Sequence, residues 1–145
     1  MLWAAVVTLM SAALGEFWYL FVAFFIAEVI DYLTGWYKAR VTKTENSNKG
    51  LKGIVKKLGY WIVIGIAFFM SLAFTDMGTQ LGIDLSWTPL VGWFTLATFI
   101  INEIRSILEN LIIIGVDGIP KWLIKGLEVA AKAIDDKNGG VDYGN

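Results

Sequence analysis

The sequence contains no cysteine and no histidine. It therefore has no disulfide, no thiol nucleophile, no imidazole base and none of the usual zinc sites. A glycine-rich phosphate-binding loop is also absent from the sequence. Carboxylates on a helix with no base, metal set or cofactor loop supply no catalytic mechanism. We therefore predict that the chain is not an enzyme and that it uses no cofactor and no metal.

Charge is scarce, and apolar residues are abundant. Only 17% of the 145 residues are charged, 57% are hydrophobic and the mean hydropathy is +0.62, which is too hydrophobic for an ordinary soluble domain. Of the twelve basic residues, seven fall between positions 38 and 57, opposed only by Glu45. They are Lys38, Arg40, Lys43, Lys49, Lys52, Lys56 and Lys57. This basic loop predicts a cytoplasmic location at the membrane surface, in reach of anionic lipid heads, and no binding of nucleic acid.

Three apolar stretches are long enough to cross a bilayer, which needs about 20 helical residues. They predict spans at residues 17–36, 58–75 and 87–109. The fold class is thus an all-α membrane protein with three transmembrane helices, a single domain over residues 1–134 and a disordered tail over 135–145. The basic loop places the N-terminus outside and the C-terminus in the cytoplasm.

Both ends of this domain are predicted to carry an additional helix. The first 14 residues are too few to span, so they form either an interfacial helix or a continuation of the first span. They lack the basic region of a secretory signal, so we expect them to be retained. Residues 121–134 are amphipathic, and they either lie on the cytoplasmic leaflet or bind a partner.

Rows of small residues indicate where the helices pack. In lipid, helices associate where small side chains allow close backbone approach. The candidate packing residues are Ala23, Ala27, Gly35, Ala67 and Ser71.

A polar stripe interrupts the last span. Its residues, which fall within an arc of roughly 160° on a helix, are Asn102, Glu103, Arg105, Ser106, Glu109 and Asn110. Charged groups at membrane depth are costly unless they face protein or water. We therefore expect several copies of the chain to gather and to line a pore or an oligomer contact with this stripe, supported by Asp31. Alternatively, the stripe belongs to a helix end at the membrane surface, and Asp31 is a helix-end carboxylate paired with Lys38.

Three segments carry a family resemblance. They are Asp31-Tyr32-Leu33-Thr34-Gly35 with Lys38-Ala39; Ser47-Asn48-Lys49-Gly50-Leu51-Lys52-Gly53 with Lys56-Lys57-Leu58-Gly59; and Asn102-Glu103-Ile104-Arg105-Ser106-Ile107-Leu108-Glu109-Asn110 followed by Gly115 and Ile119-Pro120-Lys121. Over about residues 28–125 the chain resembles the phage lysis and toxin-secretion holins of Gram-positive bacteria and their phages. The third segment is the most specific, although the resemblance assigns no role to Arg105.

The resemblance implies a homo-oligomer in the cytoplasmic membrane of a bacterial host. It would form lesions in the bilayer, through which an endolysin or a toxin reaches the cell wall. From the residues alone, two other functions stay open. One is a small-solute or ion channel, since carboxylates at membrane depth can form a cation ring. The other is a membrane scaffold that docks soluble partners through residues 121–134 and the basic loop.

Overall fold

The structure, a computed structural model, describes residues 2–15 and 17–137. In these two segments all regular secondary structure is helical, as predicted for the fold class. The helices are α1 (Leu2–Leu14), α2 (Tyr19–Val41), α3 (Ser47–Leu81), α4 (Pro89–Ile114) and α5 (Lys121–Lys137).

The N-terminal helix α1 is separate from α2. It ends at Gly15, whose φ of +80° lies in the left-handed region that stops a helix. The alternative of one long helix through the first 36 residues is therefore wrong. Among the described residues α1 packs against no other helix, and its interfacial location stays a prediction.

Most of the predicted basic loop is helical. The N-cap of α3 is Asn46, whose side chain accepts hydrogen bonds from the backbone N–H groups of Asn48 and Lys49. The helix continues through Lys57 into the predicted second span, because nothing there interrupts the helical hydrogen bonds. Its 35 residues extend for about 52 Å, well beyond a hydrocarbon core of about 30 Å.

The C-terminal helices extend past their predicted limits. Helix α4 starts at Pro89, which suits a first helical turn, and ends at Gly115 with φ +95°. Residues 135–137, predicted as the start of a disordered tail, are the last residues of α5. The remainder of that predicted tail, residues 138–145, lies outside the described residues.

Helix α4 is the centre of the bundle. It packs closely against α2, α3 and α5, whereas the backbones of α2 and α3 approach each other at few points and these two helices meet mainly through long side chains. The buried core takes one residue from each of the three long helices, namely Phe24, Ile64 and Leu96. Aromatic rings surround it, and Gly92 lets the ring of Phe68 lie so close to α4 that a Cβ there would be only 2.7 Å from it.

The predicted packing residues occupy different environments. Ala27, Ala67 and Ser71 are buried. Gly35 adjoins α4, because a Cβ at this position would lie 3.5 Å from the Asn110 side-chain nitrogen. Ala23, in contrast, is exposed.

Two helices, α2 and α3, are long and apolar enough to cross a membrane. Their outward faces carry large apolar side chains, such as Phe25 (57% exposed) and Phe69 (71% exposed). Contiguous exposed apolar surface of this kind suits contact with lipid rather than water. Helix α4 does not meet the same length-and-hydropathy criterion, so two candidate spans are found in place of the predicted three.

Candidate functional site

The polar stripe of α4 divides lengthwise into two halves. The inner half, Glu103, Ser106 and Asn110, faces α2 and α3, and Glu103 and Asn110 are buried. The outer half, which is exposed, consists of Asn102, Arg105 and Glu109. Successive members of each half are three or four residues apart, so each follows one side of the helix.

Lys57 of α3 joins the inner half to α2. Its ammonium group donates to Asp31 over 2.9 Å and also to Glu103 of α4. The side chains of Lys57 and Glu103 are only 15% and 6% exposed. One cation therefore neutralises much of the charge of two carboxylates and connects three helices, an arrangement that is stable only while every partner stays in place.

Asn110 makes the second connection between α4 and α2. Its side-chain nitrogen donates to Asp31 Oδ1 over 3.1 Å and to Thr34 Oγ over 3.2 Å, while its oxygen accepts from Lys38. Because the amide uses both its donor and its acceptor functions, this buried group is satisfied. Lys38 is thus bonded to Asn110, and Asp31 is paired with Lys57 instead of Lys38.

Glu28 lies one helical turn before Asp31, against Trp61. The indole N–H donates to Glu28 Oε2 over 2.7 Å. The other oxygen, Oε1, is buried and has no hydrogen-bond partner. Unsatisfied buried acceptors are rare, so this carboxyl group is an unusual feature of the α2–α3 contact.

The outer half of the stripe makes weaker contacts. Arg105 pairs with Glu109 over 3.0 Å on the same helix and lies 3.9 Å from Glu128 of α5. These side chains are about half exposed, so such pairs contribute little to stability. Asn102, Arg105 and Glu109 therefore stay available for contacts outside the chain.

The contacts follow a regular register. The core layer of Phe24, Ile64 and Leu96 is seven residues away, on every helix, from the layer of Asp31, Lys57 and Glu103. From the apolar layer to the polar layer, the residue numbers increase along α2 and α4 but decrease along α3. Helices α2 and α4 therefore run parallel to each other, and α3 runs antiparallel to both. The polar layer thus lies about 10 Å from the apolar core, towards the basic loop.

Two clefts meet at this polar layer. One, of about 790 Å³, lies between the end of α2 and the start of α3. The other, of about 540 Å³, lies between α3 and the outer half of the stripe. Both clefts are lined by Asp31, Gly53, Lys57 and Ser106. Within the described part of the chain, no cluster of acidic, histidine or cysteine side chains could hold a metal ion.

The inner half requires a correction to the sequence interpretation. We expected the stripe to be satisfied only when copies of the chain gather, but Glu103 and Asn110 are paired within one chain. Hydropathy identified the stripe, but Lys57 was assigned to the membrane surface with the other loop lysines. Because α3 continues through Lys57, this lysine faces the bundle instead, seven residues from Ile64.

One comparison with known proteins identifies a family, and another finds similar proteins that are uncharacterised. The model of the bacteriophage holin family matches residues 8–132. An uncharacterised protein of Halalkalibacterium halodurans is 30% identical over 129 residues, which cover 88% of this chain and 90% of that protein.

Two uncharacterised proteins of Clostridium perfringens are also similar. One is 36% identical over 109 residues, which cover 75% of this chain and 70% of that protein. The other, a 14.9 kDa protein from the 3′ region of nagH, is 37% identical over 99 residues, which cover 68% and 67%. No solved structure matches the chain.

Proposed function

Because the chain belongs to the bacteriophage holin family, we propose that it assembles in the bacterial cytoplasmic membrane into lesions through which an endolysin or a toxin reaches the cell wall. The family is non-enzymatic, so the chain is not an enzyme. Two apolar helices with lipid-compatible outer faces support a membrane location. We take α4 as the third span, with the basic loop in the cytoplasm.

The observation that carries this proposal is the exposed outer half of the α4 stripe. Asn102, Arg105 and Glu109 remain exposed after the inner half has been satisfied within the chain. If α4 spans, these polar groups lie beside hydrocarbon, which is unfavourable for a single copy. Association of copies covers or hydrates them, and mass action then makes assembly depend on concentration.

The inner half has a different role in this proposal. Lys57, Asp31 and Glu103 hold one copy in a folded, closed bundle, so copies can accumulate before they associate. Site residues predicted as one working face thus divide into a structural set and an assembly set. The basic residues other than Lys38 and Lys57 are assigned to the membrane surface.

The test replaces the outer half with leucine. The variant Asn102→Leu, Arg105→Leu, Glu109→Leu is expressed in bacteria together with a folded cytoplasmic reporter of tens of kilodaltons. We expect normal accumulation in the membrane, because these side chains are exposed, and delayed or abolished escape of the reporter. The control is Asp76→Asn, which changes an exposed carboxylate on α3 far from the stripe. Cells that express this variant should release the reporter at the same time as cells with the wild type.

Three outcomes contradict the proposal. Unchanged reporter escape in the leucine variant would show that the outer half is not the assembly face. If the wild-type protein conducted ions but never released the reporter, the alternative of a small-solute or ion channel would be favoured. If the full-length chain never formed lesions, and if deletion of residues 121–145 abolished its function, the membrane scaffold would be favoured.

A further inference from the structure

The first three turns of α3 differ from the rest of that helix. Lys49, Lys52 and Lys56 lie on one side, within an arc of about 60°. Leu51 and Val55 lie on another side and are 61% and 60% exposed. This start of α3 is therefore a basic amphipathic helix whose apolar side is uncovered within the chain.

Lys49, Lys52 and Lys56 form no salt bridge with a carboxylate that the structure describes, unlike Arg40 and Lys57. Arg40 pairs with Glu45 over 3.5 Å, and Lys57 is bound to Asp31 and Glu103. Lys56 Nζ lies over the ring of Tyr60, 5.5 Å from its centroid. Among the carboxylates whose side chains the structure describes, none lies within 4.0 Å of Lys49, Lys52 or Lys56. Their charges are thus available to an anion from outside the chain.

The apolar side of this segment is continuous with the lipid-facing side of the span. Leu51, Val55 and Leu58 lie in line with Ile62 and Phe69, all of them more than half exposed. The helix is longer than the hydrocarbon core, so its first turns reach the headgroup level. The same leaflet therefore meets both the apolar side and the lysines.

The cleft beside this segment has room for a polar group. It lies between the end of α2 and the start of α3, and its lining includes Lys49, Trp36 and Gly53. A Cβ at Gly50 or Gly53 would meet no atom within 4 Å, so packing within the chain does not require either glycine. Glycines weaken a helix interior, and here they leave open the space beside Lys49, which lines this cleft, whereas Lys56 lines the second cleft.

We propose that the start of α3 and the adjoining cleft bind the headgroup of an anionic phospholipid. The phosphate lies against Lys49, Lys52 and Lys56, and the acyl chains follow Leu51 and Val55. An acidic soluble protein would match the lysines but would not account for an apolar side that continues into the lipid-facing side of the span. The proposal requires α3 to lie in a membrane, but it does not require lesion formation.

The test measures lipid binding directly on the full-length protein. The protein is purified in neutral-detergent micelles, titrated with phosphatidylglycerol or phosphatidylcholine, and the bound lipid is counted by native mass spectrometry. We expect clear preference for phosphatidylglycerol in the wild type. The variant Lys49→Gln, Lys52→Gln, Lys56→Gln should lose roughly a hundredfold in affinity for it, at about fivefold for each lysine near an anionic surface.

The matched control removes the same charge elsewhere. The variant Lys121→Gln, Lys125→Gln, Lys132→Gln on α5 should keep its preference for phosphatidylglycerol. The variant Lys49→Arg, Lys52→Arg, Lys56→Arg keeps the charge and should bind like the wild type. It distinguishes the effect of lost charge from the effect of a damaged helix. Added salt should weaken the preference.

Three results would overturn the proposal. The wild type could bind both lipids equally, which would leave an acidic protein as the partner of the lysines. The α5 control could lose as much affinity as the α3 variant, or the arginine variant could fail to bind although it is folded. Micelles have no inside or outside, so the orientation of the basic loop does not affect the outcome, and neither does the presence or absence of lesions.

Discussion

Lys57 shows how strongly the environment of one side chain depends on helix continuity. In a loop it would be one more lysine at the headgroups, but in α3 it faces Asp31 and Glu103 inside the bundle. A buried cation with two carboxylate partners is difficult to replace, because removing it leaves both carboxylates desolvated and unpaired. Lys57 thus lies within the bundle, bonded to two carboxylates, rather than at the membrane surface.

Replacing Lys57 with methionine should lower the free energy of unfolding by about 3–5 kcal/mol, the cost of breaking a buried ion pair. The measurement is equilibrium unfolding in detergent, followed by helical circular dichroism. Lys52→Met, at an exposed position on the same helix, is the control and should change stability by less than about 0.5 kcal/mol.

The compensated variant Lys57→Met, Asp31→Asn, Glu103→Gln removes all three charges and should recover most of the loss. If Lys57→Met unfolded like the wild type, the pairing of these helices through Lys57 would be wrong. If the compensated variant were as unstable as Lys57→Met, the cost would lie in packing rather than in unpaired charge.

At the scale of the helix, the sequence predicted where the apolar helices lie better than it predicted the residues at which they begin and end. Apolar runs identified the regions of α2, α3 and α4, because a run of about 20 apolar residues has few other structures in lipid. The sequence did not reveal that the basic segment and the second span form one continuous helix. Lysine and glycine suggest a loop, but an N-cap at Asn46 and an unbroken ladder of backbone hydrogen bonds favour one helix.

The division of the polar stripe was also beyond reach of the sequence. Periodicity places all six polar residues on one broad side of α4, but it does not indicate which of them meet a neighbouring helix. That depends on α2 packing beside α4 through Gly35 and Asn110, a long-range contact. The sequence shows Glu28 as a charged residue within an apolar run, but it does not predict the hydrogen bond that Glu28 accepts from Trp61.

The contact between α3 and α4 depends on Gly92. The ring of Phe68 occupies the space of a Cβ, with three of its atoms between 2.7 and 2.9 Å from that position. Gly92→Ala should therefore destabilise the protein by about 1–3 kcal/mol through overpacking. The measurement is the unfolding midpoint in detergent.

The control for this change is Gly65→Ala, a helical position where a Cβ would meet no atom within 4 Å. It should be neutral or stabilising, because alanine favours a helix over glycine by about 1 kcal/mol. Equal destabilisation by both variants would contradict the close approach of Phe68 to α4.

For the whole molecule, the number of helices that cross the bilayer depends on α4. Helices α2 and α3 meet the criterion for spans, whereas α4 carries its polar stripe within the length that would cross. Pairing of the inner half with Lys57 lowers the cost of placing α4 in the membrane, since the buried groups are satisfied there. We therefore expect α4 to span.

Cysteine labelling tests this expectation, because the natural chain has no cysteine. Ser86→Cys and Asp117→Cys place single thiols just before and just after α4, both at exposed positions. If α4 spans, a membrane-impermeant maleimide added outside intact cells should label only position 86. Labelling of both or of neither, together with full labelling after lysis, would show that both ends of α4 are on one side of the membrane.

The central place of α4 has a consequence for biosynthesis. Helices α2 and α3 leave the ribosome first, but their backbones approach each other at few points, so a nascent chain that stops before Pro89 lacks the helix against which both pack most closely. Closure must wait for translation of α4, and until then Asp31 and Lys57 have only each other in place of the full set of partners. Premature termination within α4 should thus yield two loosely associated helices, a substrate for membrane proteases rather than a smaller working version of the protein.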